Sequence, residues 1–217
     1  MKNIKSLPQN LVERYQNWRA GVFEEKSAHY SDLANYGQNP PTMIISCCDS
    51  RLHVTEILGA DTGDIFVHRN VANLVPPYTP NSDHHGTSAA VEYGVRALKV
   101  SHLIVFGHSQ CGGVEACHNI CTHGVADEQR DYEFVGPWLE ILKPAYSRIN
   151  ESADHEAQLV DLGQQGVIAS LQNLLGFPFI AAAIADGSLT LHGAWHDIGS
   201  GTLYHYDPKV EKFIAVA

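Results

Sequence analysis

Three side chains with the chemistry of soft-metal ligands stand at telling places in this sequence. Cys47 is the last residue of an apolar run, Thr42–Cys47; His108 follows the end of another, His102–Gly107; and Cys111 lies three residues further on. The glycines of Gly107-His108-Ser109-Gln110-Cys111-Gly112-Gly113 let the backbone turn sharply into a helix, and a His and a Cys three apart in such a turn can chelate one ion. With Cys47 they make a Cys₂His set, and three protein ligands with an open fourth position is the pattern of catalytic rather than structural zinc. A zinc ion held this way lowers the pKa of its bound water and makes hydroxide available near neutrality. A free cysteine is more often a small buried apolar residue, but joint placement at two run ends favours ligation.

Asp49 and Arg51 follow Cys47 as alternate residues of a strand-to-helix loop, where a guanidinium can grip a carboxylate bidentately. A carboxylate so held can accept a hydrogen bond from a bound hydroxide and orient its lone pair, or it can occupy the open position and shut the site. Without the ligands beside it, the pair would read as a surface ion pair of little value. A second cluster, Cys117, His118, Cys121 and His123, offers thiols one helical turn apart, yet such a pair more often packs into a core, and it carries no sign of an open site.

Four β-branched apolar runs, Thr42–Cys47, Asp64–Arg69, His102–Gly107 and Leu189–Ala194, are separated mostly by stretches of helical period. This alternation predicts an α/β fold, a mainly parallel β-sheet flanked by helices. In open parallel sheets ligands bind beyond the carboxyl ends of strands, so Cys47 and His108 are expected at one edge. Thr87–Lys99 reads as a helix with small residues for close packing. Pro137 opens a helical segment through Ile149 that Pro144 should kink, and Asp154 should cap a helix ending at Leu175 before Gly176. Thr202–Tyr206 and Lys212–Val216 read as an edge hairpin around Asp207-Pro208, and Asn70–Gly86 as a long loop bordering the site. Leu11, Tyr15, Trp18 and Val22 share one helical face, which predicts an extended N-terminal docking helix. The organisation expected is one zinc-binding α/β domain over residues 1–217, with residues 1–30 as a helical arm.

Of 217 residues, 14 are Lys or Arg and 24 Asp or Glu, a net charge of −10, which disfavours a nucleic-acid partner. The longest apolar run, Phe179–Ala185, is far below the roughly 18 to 20 residues of a membrane span. An odd count of 5 Cys with no secretory leader favours reduced thiols. A soluble, cytoplasmic protein is expected, with no membrane partner.

Ser46-Cys47-Cys48-Asp49-Ser50-Arg51, His68-Arg69-Asn70-Val71-Ala72-Asn73 and Gly107-His108-Ser109-Gln110-Cys111-Gly112-Gly113 closely resemble, in order and spacing, the β-class carbonic anhydrases. The similarity runs from about residue 37 to His192-Gly193, with residues 120–160 undistinctive. The resemblance implies reversible hydration of carbon dioxide to bicarbonate and a proton on one zinc per chain, with Cys47, His108 and Cys111 as ligands and Asp49 and Arg51 as catalytic dyad. It also implies a homodimer or assembly of dimers, the N-terminal helix reaching to a partner. His84, His85 or buffer would export the proton.

One branch of the family closes its site with bicarbonate held by a Trp three residues before the first ligand, the Arg of R-N-V-A-N, and a Tyr just after His-Gly. Here Ile44 replaces the Trp, Arg69 remains, and Trp195 or His196 falls near the Tyr position. An open site is therefore expected, with Asp49 paired to Arg51 and Cys48 a small filler. The alternatives are a carbon disulfide or carbonyl sulfide hydrolase on the same scaffold and a non-catalytic zinc or bicarbonate-binding module.

Overall fold

The computed structural model describes residues 3–81, 85–125 and 132–217. The chain divides into two compact units, Met1–Gln38 and Asn39–Ala217. In the first, α1 (Gln9–Trp18) runs into a π-helical turn, Arg19–Phe23, and is followed by α2 (Ser27–Tyr36). Trp18 and Phe23 both pack on Tyr30, with ring centroids 5.8 and 5.3 Å away, which folds the second helix back on the first. The helical arm thus extends to Tyr36. Leu11, Tyr15, Trp18 and Val22, the apolar face of α1 and its continuation, are exposed.

In the second unit, among the described residues, β1 (Thr42–Cys47), α3 (Val54–Ile57), β2 (Ile65–Asn70), α4 (Gly86–Glu92), β3 (His102–His108) and α5 (Gly112–His123) come first. Then follow α6 (Val135–Leu139), α7 (Lys143–Tyr146), α8 (His155–Leu175), α9 (Pro178–Ala185), β4 (Thr190–His196), β5 (Leu203–Asp207) and β6 (Lys212–Ala215). The sheet has six strands in the order β2-β1-β3-β4-β5-β6. The first four are parallel; β5 and β6 pair antiparallel, the expected edge hairpin. The fold is the α/β sheet that the alternation of runs predicts.

Both faces of the sheet are covered, which is why β1 reads as an unbroken apolar run rather than an alternating one. Ile44 and Phe106 belong to one core layer with Leu52, Val114, Leu139 and Leu162, whereas Met43, Ile45, Leu103 and Val105 belong to the other with Val91, Val95, Leu174 and Phe177. Helix α8 lies directly on β3: a Cβ at Gly107 would stand 2.8 Å from Val167 Cγ2, so glycine alone permits this approach.

Two details depart from the sequence reading. The segment from Pro137 is not one kinked helix: Pro144 begins α7, where its missing N–H costs nothing, and α6 ends before it. The helix expected over Thr87–Lys99 widens to a π-helical turn at Tyr93–Ala97, beside Gly94, where an added Cβ would meet Met43 Sδ at 2.6 Å.

The start of α8 is set by Asp154, whose Oδ1 accepts the Ala157 amide at 2.9 Å. Asp154→Ala removes that cap and should cost about 1 kcal/mol, read as a lower urea midpoint with an unchanged slope; an unchanged midpoint would show that packing alone sets this helix start.

Candidate metal centre

Strand β1 leads through α3 to β2 on one side of the sheet, while β3 leads through α5 towards β4 on the other. The crevice beyond the carboxyl ends of β1 and β3 is therefore a topological switch point, the place where open α/β sheets build their sites. Parallel register pairs Ser46 with Phe106, so Cys47 and His108 emerge side by side. Cys111 precedes α5 and returns its thiol to the same place: Cys47 Sγ and Cys111 Sγ are 3.8 Å apart. Ligand atoms of Cys47, His108 and Cys111 all lie within 4.8 Å of one another, and all three residues are buried.

The imidazole is aimed by its own backbone neighbourhood. His108 Nδ1 stands 2.8 Å from the Ser109 carbonyl oxygen, to which it can only donate, so Nε2 carries the lone pair. Nε2 is buried and lacks a protein hydrogen-bond partner, an arrangement that is costly unless something electrophilic sits there. Metal–sulfur bonds of about 2.3 Å meeting at a tetrahedral angle put two sulfurs about 3.8 Å apart, the separation found here. The donor set fits a tetrahedrally bound metal ion.

The two thiols share their ionisation. A hydrogen bond from the Cys111 thiol is the main influence drawing Cys47 down, with the His108 ring and then the amides of Asp49 and Ala72 acting the same way against burial. The same bond and burial push Cys111 up. The pair thus holds one negative charge near neutrality and resists a second unless a cation supplies the compensation.

Around the ligands the backbone is held tightly. Asn70 brackets the turn Val71–Asn73 by accepting the Leu74 amide at 3.0 Å and donating to the Leu74 carbonyl at 2.8 Å. Inside it Ala72 and Asn73 have φ of 60° and 50°, left-handed values that cost Ala roughly 1 kcal/mol or more and that let the Ala72 amide face the Cys47 sulfur. Helix α5 abuts this turn, since a Cβ at Gly113 would lie 2.9 Å from Val71 Cγ1. Arg69 clamps the loop after β1: its Nε donates to the Cys47 carbonyl at 2.9 Å and its Nη2 to those of Asp49 and Leu52 at 2.8 Å.

Asp49 stands beside the ligands but outside their cluster. Arg51 donates from Nε to Oδ1 at 3.0 Å and from Nη2 to Oδ2 at 2.7 Å, and its amide also reaches Oδ1 at 2.9 Å. Arg51 is fixed in turn by the Gln110 carbonyl, 2.8 Å from Nη2. The guanidinium, above all, holds the Asp49 carboxyl well below the usual carboxylate range.

The second cysteine–histidine cluster is a packing feature. Cys117 is buried, its thiol 3.8 Å from the Leu139 carbonyl oxygen, and His118 Nε2 lies 2.7 Å from Gln158 Oε1. Among the described residues only Cys47, His108 and Cys111 form a group able to hold a metal ion. His84 lies outside the described residues. Sequence reasoning missed the clamp by Arg69 and the roles of Ser109 and Gln110, which act through carbonyl groups.

The family model described as "Carbonic anhydrase" matches residues 42–203. "Beta carbonic anhydrase 3" of Arabidopsis thaliana is 30% identical over 226 residues, covering 100% of this chain and 86% of that protein. The chain belongs to the β-carbonic anhydrase family. Among solved structures, the β-carbonic anhydrase CcaA superposes with a TM-score of 0.87 at 30% identity, over 96% of this chain and 92% of that one. One of two tetrameric β-carbonic anhydrases of Sordaria macrospora gives a TM-score of 0.78 at 32% identity, over 96% and 98% of the two chains. The three stretches on which the resemblance rests are the ends of β1 and β3, which carry Cys47 and His108–Cys111, and the Arg69–Asn73 clamp and turn between them in sequence.

Two predictions follow from this geometry. Because the folded pKa of Asp49 is depressed, its contribution to stability is present above the usual carboxylate pKa and lost as pH falls through the folded value. Arg51→Gln should move the Asp49 carboxyl titration, followed by NMR, upward towards that of a free aspartate; an unmoved titration would assign the depression to something other than the guanidinium. Arg69→Lys keeps the charge and gives up the fork, so amide exchange at Leu52, which donates to the Asp49 carbonyl at 3.0 Å, should accelerate while exchange in the core of β3 stays as in the parent.

Proposed function

We propose that this chain is a zinc-dependent carbonate dehydratase, catalysing the reversible hydration of carbon dioxide to bicarbonate and a proton at the crevice between β1 and β3. The observation that carries the reading is the buried Cys47–His108–Cys111 set, with its 3.8 Å sulfur separation and unpartnered imidazole nitrogen, beside a carboxylate engaged by arginine. Cys47, His108 and Cys111 would hold one Zn²⁺ per chain. When bound, the ion supplies Lewis acidity that makes hydroxide available at moderate pH.

The remaining work falls to the protein. Asp49, kept ionised by Arg51, can only accept hydrogen bonds. Placed beside the ligands, it takes the hydrogen bond of the attacking hydroxide and leaves a lone pair directed at the carbon of carbon dioxide. One C–O bond would form as one C=O π bond of carbon dioxide breaks, its electron pair and the negative charge passing to the oxygens of bicarbonate, and no general base is required at this step. Arg51 acts as positioning residue: three contacts to Asp49 and one to the Gln110 carbonyl keep the carboxylate from swinging onto the metal site. Regeneration of hydroxide from water releases one proton to solvent or buffer. A small neutral substrate needs no electrostatic steering, which suits an acidic chain.

We place the enzyme in the cytoplasm, where its free thiols stay available as ligands. No single described helix is long and apolar enough to cross a membrane; α8 and α9 reach that length only together, across an 87° bend. We also propose that the chain works as a homodimer or an assembly of dimers, a reading supported by the exposed apolar face of α1 and by the tetrameric state of the Sordaria macrospora relatives.

Stopped-flow hydration with metal analysis tests the reading. The parent should hold about one zinc per chain, and Cys47→Ala should lose both metal and hydration. A parent that holds zinc without hydrating carbon dioxide would point to a binding module; one that holds none would sink the ligand assignment. Two thiolates offset the formal charge of the ion, so the titration that liberates hydroxide lies higher than with three neutral ligands. Hydration should therefore climb from neutral into mildly alkaline buffer, and a flat profile across that range would count against it.

A further inference from the structure

The His108 imidazole is oriented by the Ser109 carbonyl, and Ser109 is itself held from outside β3. Its amide donates to the His196 carbonyl at 2.9 Å, tying it to the end of β4. Its buried hydroxyl accepts the Ile198 amide at 2.9 Å. Every polar group of Ser109 is thus used: the carbonyl towards His108, the amide and hydroxyl towards the turn that joins β4 to β5.

Asp197 is the organiser of that turn. Its carboxylate accepts the Ser200 amide at 3.0 Å and the Ser200 hydroxyl. Its own amide donates to the Thr202 carbonyl at 2.9 Å and its carbonyl accepts the Gly201 amide at 2.8 Å. A carboxylate gathering these donors stays ionised and fixed in place, its pKa lowered to about 2 chiefly by the Ser200 hydroxyl.

We infer that the β4–β5 turn, organised by Asp197 and tied to Ser109 through the His196 carbonyl and the Ile198 amide, is a latch on the end of β3 that sets the direction of the His108 ring and so the retention of the metal. Neither residue touches the metal site with its side chain; both are positioning residues that act through one carbonyl oxygen. The inference rests on the ligand reading above. Partners of metal-bound histidines fix ring orientation and tautomer, and removing them typically costs 10- to 100-fold in metal affinity or activity. Here the carbonyl survives any side-chain change while its anchorage does not, so the lower end of that range is expected.

The test is the rate at which zinc-loaded protein gives up its metal to an excess of chelator, together with the visible absorption of the cobalt(II)-substituted protein. Ser109→Ala and Asp197→Ala should each release zinc about tenfold faster than the parent and shift the cobalt bands. Asp197→Asn, whose amide oxygen can still accept the Ser200 amide and hold the turn, should recover most of the difference. Asp186→Ala serves as control: it removes a carboxylate that caps a turn through the Ser188 amide at 2.9 Å, remote from β3's carboxyl end. It should release zinc at the parent rate whatever it costs in thermal stability. Parent-like release and an unmoved cobalt spectrum in Ser109→Ala, which adds no bulk and folds if the parent does, overturn the latch alone. A parent that takes up no metal overturns the ligand reading and the latch with it.

Discussion

The parallel pairing of β1 with β3 is the constraint on which this structure turns. In-register pairing places two thiols and an imidazole together at two adjacent strand ends, where all three are buried. Such a group of donors is costly as a metal-free cluster, since an ionised thiol in low dielectric needs compensation and a lone imidazole nitrogen needs a partner. The local structure supplies part of that compensation through backbone amides at Asp49 and Ala72 and through the thiol of Cys111. What it does not supply is a positive charge at the centre, which a bound cation would provide.

Holding that centre requires backbone in unfavourable conformations, and the neighbouring side chains show where the strain is balanced. Of the five described non-glycine residues with left-handed φ, Ala72, Asn73 and Gln110 lie beside Cys47, His108 and Cys111, while Lys99 and Glu211 lie elsewhere. Asn70 brackets the first two, with Trp138 adding a hydrogen bond from its indole N–H to the Val71 carbonyl at 2.8 Å. Arg51 holds the Gln110 carbonyl. Strained backbone persists where its surroundings over-determine it, and here the same contacts that fix the strain fix the catalytic geometry. One side chain, Arg51, thus immobilises both the Asp49 carboxylate and the turn that carries Cys111.

The sheet was legible because strands buried on both faces are unbroken apolar runs, and β1 and β3 begin and end close to where those runs do. Helix α8 was legible because Asp154 marks its start with a side chain that has few other reasons to stand there. The region of α6 and α7 was not, because a proline reads alike as a kink or as the first turn of a new helix until the packing around it is known. At the site, ligands and dyad could be read from residue type and spacing. The groups that aim them could not: Ser109 orients His108 and Gln110 holds Arg51 through carbonyl oxygens, which every residue has and no letter distinguishes. Arg69 could be seen as a cation near the site, but its three carbonyl acceptors could not.

That use of Arg69 bears on how the site stays open. The resemblance drawn from the sequence includes a branch in which an arginine at this position would help to hold a bicarbonate that shuts the site. Here Arg69 directs Nε and Nη2 into the carbonyls of residues 47, 49 and 52, so turning towards an anion would release the loop that carries Asp49. Ile44 is wholly buried in the core and offers no N–H to such an anion. His196, near the position of the branch's tyrosine, is buried too, its carbonyl engaged by the Ser109 amide. Closing the site would therefore require breaking the Arg69 clamp and the Arg51–Asp49 fork together, with no pre-built anion pocket to compensate. The balance of these contacts favours an Asp49 that remains with Arg51 while substrate comes and goes.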